Sequence, residues 1–164
     1  MQPSAIDQAA FRQVLGNYPT GVAVITAMLD SGAPIGMVVG TFTSVSIEPP
    51  LVGFLPGKNS SSWPLIEASG HFCVNVLARD QLDLCAQLAK PGPDKFAGVN
   101  YTVSDHGLPV LADTMVSIEC RLHAVQDAGD HWFVTGHVLG LESHRNADPM
   151  LFHRGQYGGF SSNS

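Results

Sequence analysis

The sequence has few charged residues and no long apolar run. Charged side chains make up 13% of the 164 residues, and 8 basic groups against 14 acidic ones leave a formal net charge of −6. A nucleic-acid-binding protein normally carries a basic stripe, which this chain lacks. No apolar segment approaches the ~20 residues that a membrane-spanning helix needs. We therefore expect neither a nucleic-acid partner nor a membrane partner.

Cysteine is also scarce, and the metal-binding residues are scattered. Cys73, Cys85 and Cys120 form no close pair, which argues against a CxxC redox motif, a zinc ribbon and a disulfide framework. The histidines offer no close ligand pair on a helix, so we expect no metal site. Residues 1–4 lack the charged and apolar regions of a secretory signal. These features predict a cytoplasmic protein whose cysteines pack as small core residues.

What the chain does contain is enough apolar sequence for one core. Hydrophobic residues make up 45% of the chain, and its length fits a single domain over residues 1–164 with a core of about 11–160. Short helices are predicted at 7–16, 60–66 and 80–88. The stretch 94–111 is rich in turn signals. Strands are predicted at 22–28, 34–39, 41–47, 51–55, 71–77, 115–125 and 131–141.

The strands outnumber the helices, and neighbouring strands are mostly close to each other in the sequence. This pattern indicates a mainly β fold, an antiparallel barrel with a few helices packed on it. The segment 41–47 alternates, so Phe42, Ser44 and Ser46 should share one face of a strand. Three common motifs are missing: a GxGxxG after a strand, a GxxxxGK[ST] loop and a GxSxG elbow. Their absence removes the Rossmann, P-loop and simplest hydrolase interpretations.

A set of polar and glycine-rich segments remains. In order and spacing, these segments resemble the flavin reductase family, the small reductase partners of two-component flavin-dependent monooxygenases. The strongest likeness is to reductases that serve aromatic or steroid-ring hydroxylases. The segments are FRQVL at 11–15, PTGV at 19–22, TFTSVS at 41–46, PPL at 49–51, FCVNVL at 72–77, DKFAG at 94–98, GDH at 129–131 and RGQY at 154–157.

The resemblance implies a fold and an activity. The fold would be a split, six-stranded antiparallel β-barrel of the FMN-binding type that forms a homodimer. The activity would be reduction of FMN or FAD by NADH or NADPH, with release of the reduced flavin to a separate monooxygenase component. Many members have Thr where this chain has Val38 and Ser where it has Gly40. One hydroxyl near the isoalloxazine is therefore expected to be missing.

The resemblance also implies site residues. His131 is expected beside the nicotinamide as the catalytic residue, and Arg154 and Tyr157 are expected either to border the nicotinamide or to pack in the dimer. Hydroxyls and amides of the other residues would bind the ribityl and phosphate oxygens of the flavin. That cofactor-binding set is Gly36, Met37, Val38, Thr41, Phe42, Thr43, Ser44, Ser46, Lys58, Ser60, Ser61, Ser62, Trp63, Lys95 and Phe96.

On the residues alone, each candidate also has an ordinary structural explanation. The Ser- and Thr-rich strand is also typical of an exposed edge strand, and the serines at 60–62 of a helix cap. Lys95 fits a solvated loop charge, and His131 a surface histidine beside a turn. A non-catalytic flavin-binding or electron-carrier protein is the alternative function, although the intact GDH segment favours the enzyme. Oxidase or oxygenase chemistry on an organic substrate ranks last, because no dedicated acid–base pair is visible.

Overall fold

A computed structural model describes residues 5–163, which form three α-helices and twelve β-strands. The helices are α1 Gln8–Leu15, α2 Trp63–Ser69 and α3 Leu82–Leu88. The strands are β1 Thr20–Gly21, β2 Ala23–Met28, β3 Pro34–Val39, β4 Thr43–Ser46, β5 Leu51–Phe54, β6 His71–Val76, β7 Tyr101–Val103, β8 Pro109–Leu111, β9 Val116–Ala128, β10 His131–Ser143, β11 Leu151–His153 and β12 Gln156–Gly158.

Seven of these strands form one antiparallel sheet in the order β3-β2-β6-β9-β10-β5-β4. The mainly β prediction is confirmed. The sheet differs from the expected six-stranded barrel, because β3 and β4 are its two edges and the described residues do not pair them with each other. The long β9–β10 hairpin lies at the centre, and two register shifts along it bend the sheet.

The sheet is covered on both faces, which explains the continuous apolar run at its centre. Alternate residues of β2 enter two different clusters, with Ile25 in one and Val24 in the other. In the first cluster the ring of Phe54 packs edge-on against the rings of Phe72 and Trp63, with centroids 5.3 and 5.7 Å away. Each of these rings is almost fully buried and stabilises the fold by about 1.5–3 kcal/mol.

Most predicted elements are confirmed, and α1 shows why. The Asp7 carboxylate accepts a hydrogen bond from the Ala10 N–H at 2.9 Å, so Asp7 caps the helix. At α3 the cap is different from the prediction. Gln81 takes the N-cap position without a side-chain cap bond, and the Asp80 carboxylate is bound by the Arg145 guanidinium instead of capping the helix.

The structure also contains a hairpin that turn signals alone do not reveal. Strands β7 and β8 pair within the stretch 94–111, for which the sequence predicts turns and no strand. Their register is held by tertiary contacts: the Leu111 N–H donates to Asn75 Oδ1 at 2.9 Å, and the Thr26 hydroxyl donates to the Pro109 carbonyl at 2.5 Å. Both side chains lie on buried sheet strands, so the core selects the hairpin rather than local propensity.

Candidate functional site

The tip of the β9–β10 hairpin is bound to the loop that follows β5. Gly129 and Asp130 form the two-residue turn, in which Gly129 has a φ of 75°. The Lys58 N–H donates to the Asp130 carbonyl and the Trp132 N–H donates to the Pro56 carbonyl, each at 2.9 Å. These bonds hold the loop against the first residue of β10, His131.

His131 is oriented by its neighbour in sequence. Its Nδ1 lies 2.6 Å from Asp130 Oδ1, and about half of its side chain is exposed. Because an ionised carboxylate only accepts, Nδ1 is the donor, and Nε2 has no hydrogen-bond partner in the part of the chain that the structure describes. The hydrogen bond from His131 lowers the pKa of Asp130, and the positive charge of Arg12 lowers it further. Arg12 and the carboxylate are therefore two site features that the sequence analysis missed; the GDH segment was the available signal for Asp130.

Gly57 pairs with His131 in an isolated β-bridge, so the backbone of the loop lies directly beside the start of β10. A Cβ at position 57 would lie 2.8 Å from Asn59 Oδ1 and 3.8 Å from His131 Nε2. A side chain there would displace the Asn59 side chain and come into van der Waals contact with the imidazole. Glycine at position 57 therefore allows the loop and the Asn59 side chain to pack close to His131.

Lys58, expected at a flavin phosphate, is engaged elsewhere in the structure. Its ammonium pairs with the Asp127 carboxylate and lies 4.5 Å from the centroid of the Trp132 ring. The hydrogen bond from Lys58 lowers the pKa of Asp127. Both groups are partly or largely exposed, so the pair is weak and open to exchange with another anion.

Lys95 lies in a more enclosed place, at a contact between β3, the start of α2 and the turn at 94–96. Its ammonium donates to the Ser62 hydroxyl at 3.1 Å and to the Gly36 carbonyl at 3.3 Å. Burial lowers the pKa of Lys95. A Cβ at position 36 would lie 3.2 Å from the Phe96 ring, so the ring needs glycine there. We call these four residues the Lys95 cluster.

The serines before α2 divide their roles, and Trp63 is a core residue. Ser62 takes the N-cap position without a side-chain cap bond, the Ser60 hydroxyl accepts from the Trp63 N–H at 3.2 Å, and Ser61 is exposed. Trp63 is 2% exposed, and among the described residues its indole N–H has no partner. Its ring cannot reach a ligand in this arrangement; it anchors the loop that carries Ser60 and Ser61.

The expected alternation along segment 41–47 is interrupted. A register shift between Ser44 and Ser46 places Val45 against Gly53 of β5, and the segment is a strand only over Thr43–Ser46. Phe42 packs against the core instead of sharing a polar face with the serines. The prediction of one shared face is therefore wrong, because a bulge adds one residue to the edge strand.

Hydroxyls are nevertheless concentrated at this edge. The side chains of Thr41, Thr43 and Ser44 are exposed, and the Thr41 hydroxyl accepts from the Leu55 N–H at 2.9 Å. The side chains of Met37 and Val38 point to the two apolar clusters. At Gly40, a Cβ would lie 2.8 Å from the Thr20 hydroxyl oxygen. The Thr20 hydroxyl therefore lies where a side chain at position 40 would begin, close to the position of the hydroxyl that Gly40 lacks.

Arg154 and Tyr157 belong to the β11–β12 hairpin and point to different elements. Arg154, with a φ of 51°, donates from its Nε to Asn17 Oδ1 at 2.8 Å. The Tyr157 ring lies 5.1 Å from the Phe152 ring, and its hydroxyl meets the Cys85 thiol. Burial, with the hydrogen bond to Cys85, raises the pKa of Tyr157. The structure thus joins Arg154 to the end of α1 and Tyr157 to α3.

The remaining candidate chemistries find little support in residues 5–163. Burial raises the pKa of Cys73 and of Cys120 to about 12, which keeps both thiols protonated and unreactive near neutral pH. No group of three or more His, Cys, Asp or Glu residues in this part of the chain is arranged to hold a metal ion. None of the described helices has the length and apolarity to span a membrane.

The structure is mainly β and carries hydroxyls, a partly enclosed lysine and a histidine bonded to a carboxylate at its loops and strand edges. These features are typical of a protein that binds nucleotide cofactors. The chain belongs to the flavin reductase family, whose sequence model, "Flavin reductase like domain", matches residues 15–161. A "Flavin reductase" from Pseudomonas putida is 52% identical over 159 residues, 97% of this chain and 94% of the relative.

Two other similar proteins also carry the names of reductases. The "Flavin-dependent monooxygenase, reductase subunit HsaB" of Rhodococcus jostii is 49% identical over 94% of this chain and 79% of its own. The "FMN reductase (NADH) SmoA" of Agrobacterium fabrum is 42% identical over 97% and 90%.

Two solved structures have the same fold. The nitrilotriacetate monooxygenase component B homologue from Mycobacterium thermoresistibile superposes with a TM-score of 0.91, at 45% identity, over 97% of this chain and 89% of that one. The Streptomyces globisporus NADH:FAD oxidoreductase SgcE6, solved with NAD and FAD fragments, gives a TM-score of 0.89 at 31% identity over 96% and 95%.

Proposed function

We propose that this chain is an NAD(P)H-dependent flavin reductase that supplies reduced FMN or FAD to a separate monooxygenase component. Family membership supports the reaction class. The observation that carries the assignment to this chain is the His131–Asp130 pair, 2.6 Å apart and held at the hairpin tip against the loop that contains Gly57. When both nucleotides are bound, the dihydronicotinamide gives up a hydride and the isoalloxazine accepts it with a proton from solvent.

The residues of the Lys95 cluster fit the phosphate of a flavin. A lysine ammonium has three N–H donors, and two of those of Lys95 are used by Ser62 and Gly36. The third is available to a phosphate oxygen. Because burial makes the charged form of Lys95 unfavourable, a bound anion would stabilise it. We assign Lys95 as the flavin phosphate contact, with the exposed hydroxyls of Thr41, Thr43 and Ser44 beside the ribityl chain.

His131 serves as a positioning group for the nicotinamide. Its Nδ1 is committed to Asp130, so Nε2 is left to hydrogen-bond the carboxamide. Hydride transfer needs two flat rings held at near-attack distance, about 3–3.5 Å. The protein contributes this alignment, while the electron transfer itself is chemistry of the two nucleotides.

The direct test is an oxidation assay with purified protein. NADH and NADPH are each combined with FMN and with FAD, and consumption of the reduced nucleotide is followed with and without flavin. Flavin-dependent oxidation with at least one pairing supports the proposal, and its absence from all four refutes it. A non-catalytic flavin-binding or electron-carrier protein would bind flavin in the same experiment without turnover.

We also propose that the protein is a homodimer in which a second copy covers α1. Phe11, Val14 and Leu15 lie on one face of this helix and are 53–65% exposed, whereas the polar face is directed to the β11–β12 turn. We further propose that the sheet, whose edges are β3 and β4, forms the split barrel of the family in this homodimer. Light scattering of the wild type should give twice the chain mass, and Leu15→Glu should give the monomer.

A single domain over residues 1–164 and a cytoplasmic location complete the proposal. The three cysteines are unpaired and buried, as expected where thiols stay reduced. Fractionation of cells that make the tagged protein tests the location, and limited proteolysis tests whether one fragment holds the whole fold.

A further inference from the structure

A cavity of about 420 Å³ lies between the C-terminal end of α1 and the turn of the β11–β12 hairpin. Two of the eight basic residues of the chain face it, and none of its lining residues is acidic. Its lining is Arg12, Gln13, Gly16, Asn17, Arg154 and Gly155. We call it the Arg12–Arg154 pocket. In a chain with a net charge of −6, such a concentration of positive charge is unusual.

The two guanidinium groups are placed differently, and both have free donors. Arg154 is fixed by two bonds to the end of α1: its N–H donates to the Gly16 carbonyl at 3.0 Å and its Nε donates to Asn17 Oδ1 at 2.8 Å. Its two terminal nitrogens have no hydrogen-bond partner among the described residues. Within residues 5–163, the Arg12 guanidinium has no hydrogen-bond or ion-pair partner, so it can turn to a ligand at little cost.

The end of the helix does not compete for these cations. A helix C-terminus normally exposes carbonyl oxygens that attract positive groups. Here the Arg12 carbonyl accepts from Gly16 N at 2.9 Å, and the Asn17 amide donates to the carbonyls of Gln13 and Val14 at 2.9 and 3.1 Å. The guanidinium groups are therefore left for an outside anion.

Arg12 also lies near enough to the hairpin tip, where we propose that the nicotinamide binds, for its charge to act on that region. The charge of Arg12 reaches Asp130, whose carboxylate holds His131. We propose that the Arg12–Arg154 pocket binds a phosphoryl group of the pyridine nucleotide while its nicotinamide lies at His131, an inference that rests on the proposed function. The phosphoryl group has two sources: the diphosphate that NADH and NADPH share, or the 2′-phosphate of NADPH alone.

The test uses Arg12→Gln and Arg154→Gln, which remove one positive charge each. Each variant should raise the KM for NADH or NADPH by about tenfold, the effect of one charge-assisted hydrogen bond in a partly exposed site. The kcat at saturating nucleotide should change by less than about twofold, because the contact is remote from the transferred hydride. If the diphosphate is the source, binding of ADP-ribose, measured by calorimetry, should weaken by the same factor.

The nucleotides distinguish the two sources. An equal rise in KM for NADH and NADPH assigns the pocket to the diphosphate, whereas a rise confined to NADPH assigns it to the 2′-phosphate. The matched control is Arg121→Gln, which removes an exposed guanidinium from β9. Asn17→Ala removes the partner of the Arg154 Nε without changing the charge of the pocket.

Several results would overturn the inference. These are an unchanged KM in both arginine variants, an equal rise in Arg121→Gln, a full reproduction of the Arg154→Gln effect by Asn17→Ala, and a loss of FMN affinity in place of nucleotide affinity. Failure of the proposed function itself looks different, because the wild type would then show no flavin-dependent oxidation of NADH or NADPH. In that case, calorimetry with ADP-ribose still decides whether the pocket binds a diphosphate.

Discussion

Replacement of Lys95 by methionine should remove the preference of the protein for a phosphorylated flavin. The ammonium has one N–H donor beyond those that bind Ser62 and Gly36, at 3.1 and 3.3 Å. One charge-assisted hydrogen bond to phosphate contributes about 1.5–3 kcal/mol, which is roughly a 10- to 100-fold change in the dissociation constant. Methionine keeps the apolar length of the side chain, so the packing around Phe96 should persist.

The assay compares FMN with riboflavin, which differs from it by the phosphate alone. Dissociation constants from fluorescence titration should show Lys95→Met weakening FMN by roughly 10- to 100-fold and riboflavin very little. Lys90→Met, in an exposed residue just after α3, is the matched control and should change neither constant. Equal losses for FMN and riboflavin would refute the assignment, because they would show that Lys95 shapes the pocket without contacting phosphate.

Three further predictions concern the cores and the hairpin tip. Gly36→Ala should lower the free energy of unfolding by about 1–3 kcal/mol in a denaturant titration, because its Cβ would lie 3.2 Å from the Phe96 ring, whereas Gly21→Ala, with open space around it, should not. A disulfide reagent at pH 8 should not modify Cys73 or Cys120 in the native protein. Burial raises the pKa of each thiol to about 12, so the reactive thiolate forms only near that pH. Rapid labelling of either cysteine would contradict their burial. Asp130→Asn should raise the KM for the reduced nucleotide with little effect on flavin affinity, because a neutral amide replaces the charged carboxylate that accepts the hydrogen bond from His131 Nδ1. An equal loss of flavin affinity would count against this role of Asp130.

The predictable part of the fold is the part that local sequence specifies. Strand β3 agrees with the prediction at both ends, since a turn precedes it and Gly40 follows it. The β7–β8 hairpin could not be predicted, because Asn75 and Thr26 hold it from distant strands. The bulge at Val45 depends likewise on its contact with Gly53 of β5.

The site shows the same division. His131 could be predicted from the short GDH segment, and Lys95 from the DKF segment, because both lie in local motifs. The engagement of Lys58 with Asp127 could not, since 69 residues separate the partners. The burial of Trp63 could not be predicted, because its ring enters a core built from several distant strands, including β5 with Phe54. Arg12 was counted only as part of a helix, and its nearness to Asp130 comes from the tertiary fold.

Anaerobic mixing of a trace of this protein with excess NADH or NADPH and free flavin tests the central claim most directly. The loss of flavin absorbance should match the loss of reduced nucleotide one for one, through many turnovers per chain, because a hydride carries the two electrons that a flavin accepts. Bleaching that stops at one flavin per chain, or that is no faster than in protein-free solution, would contradict the account.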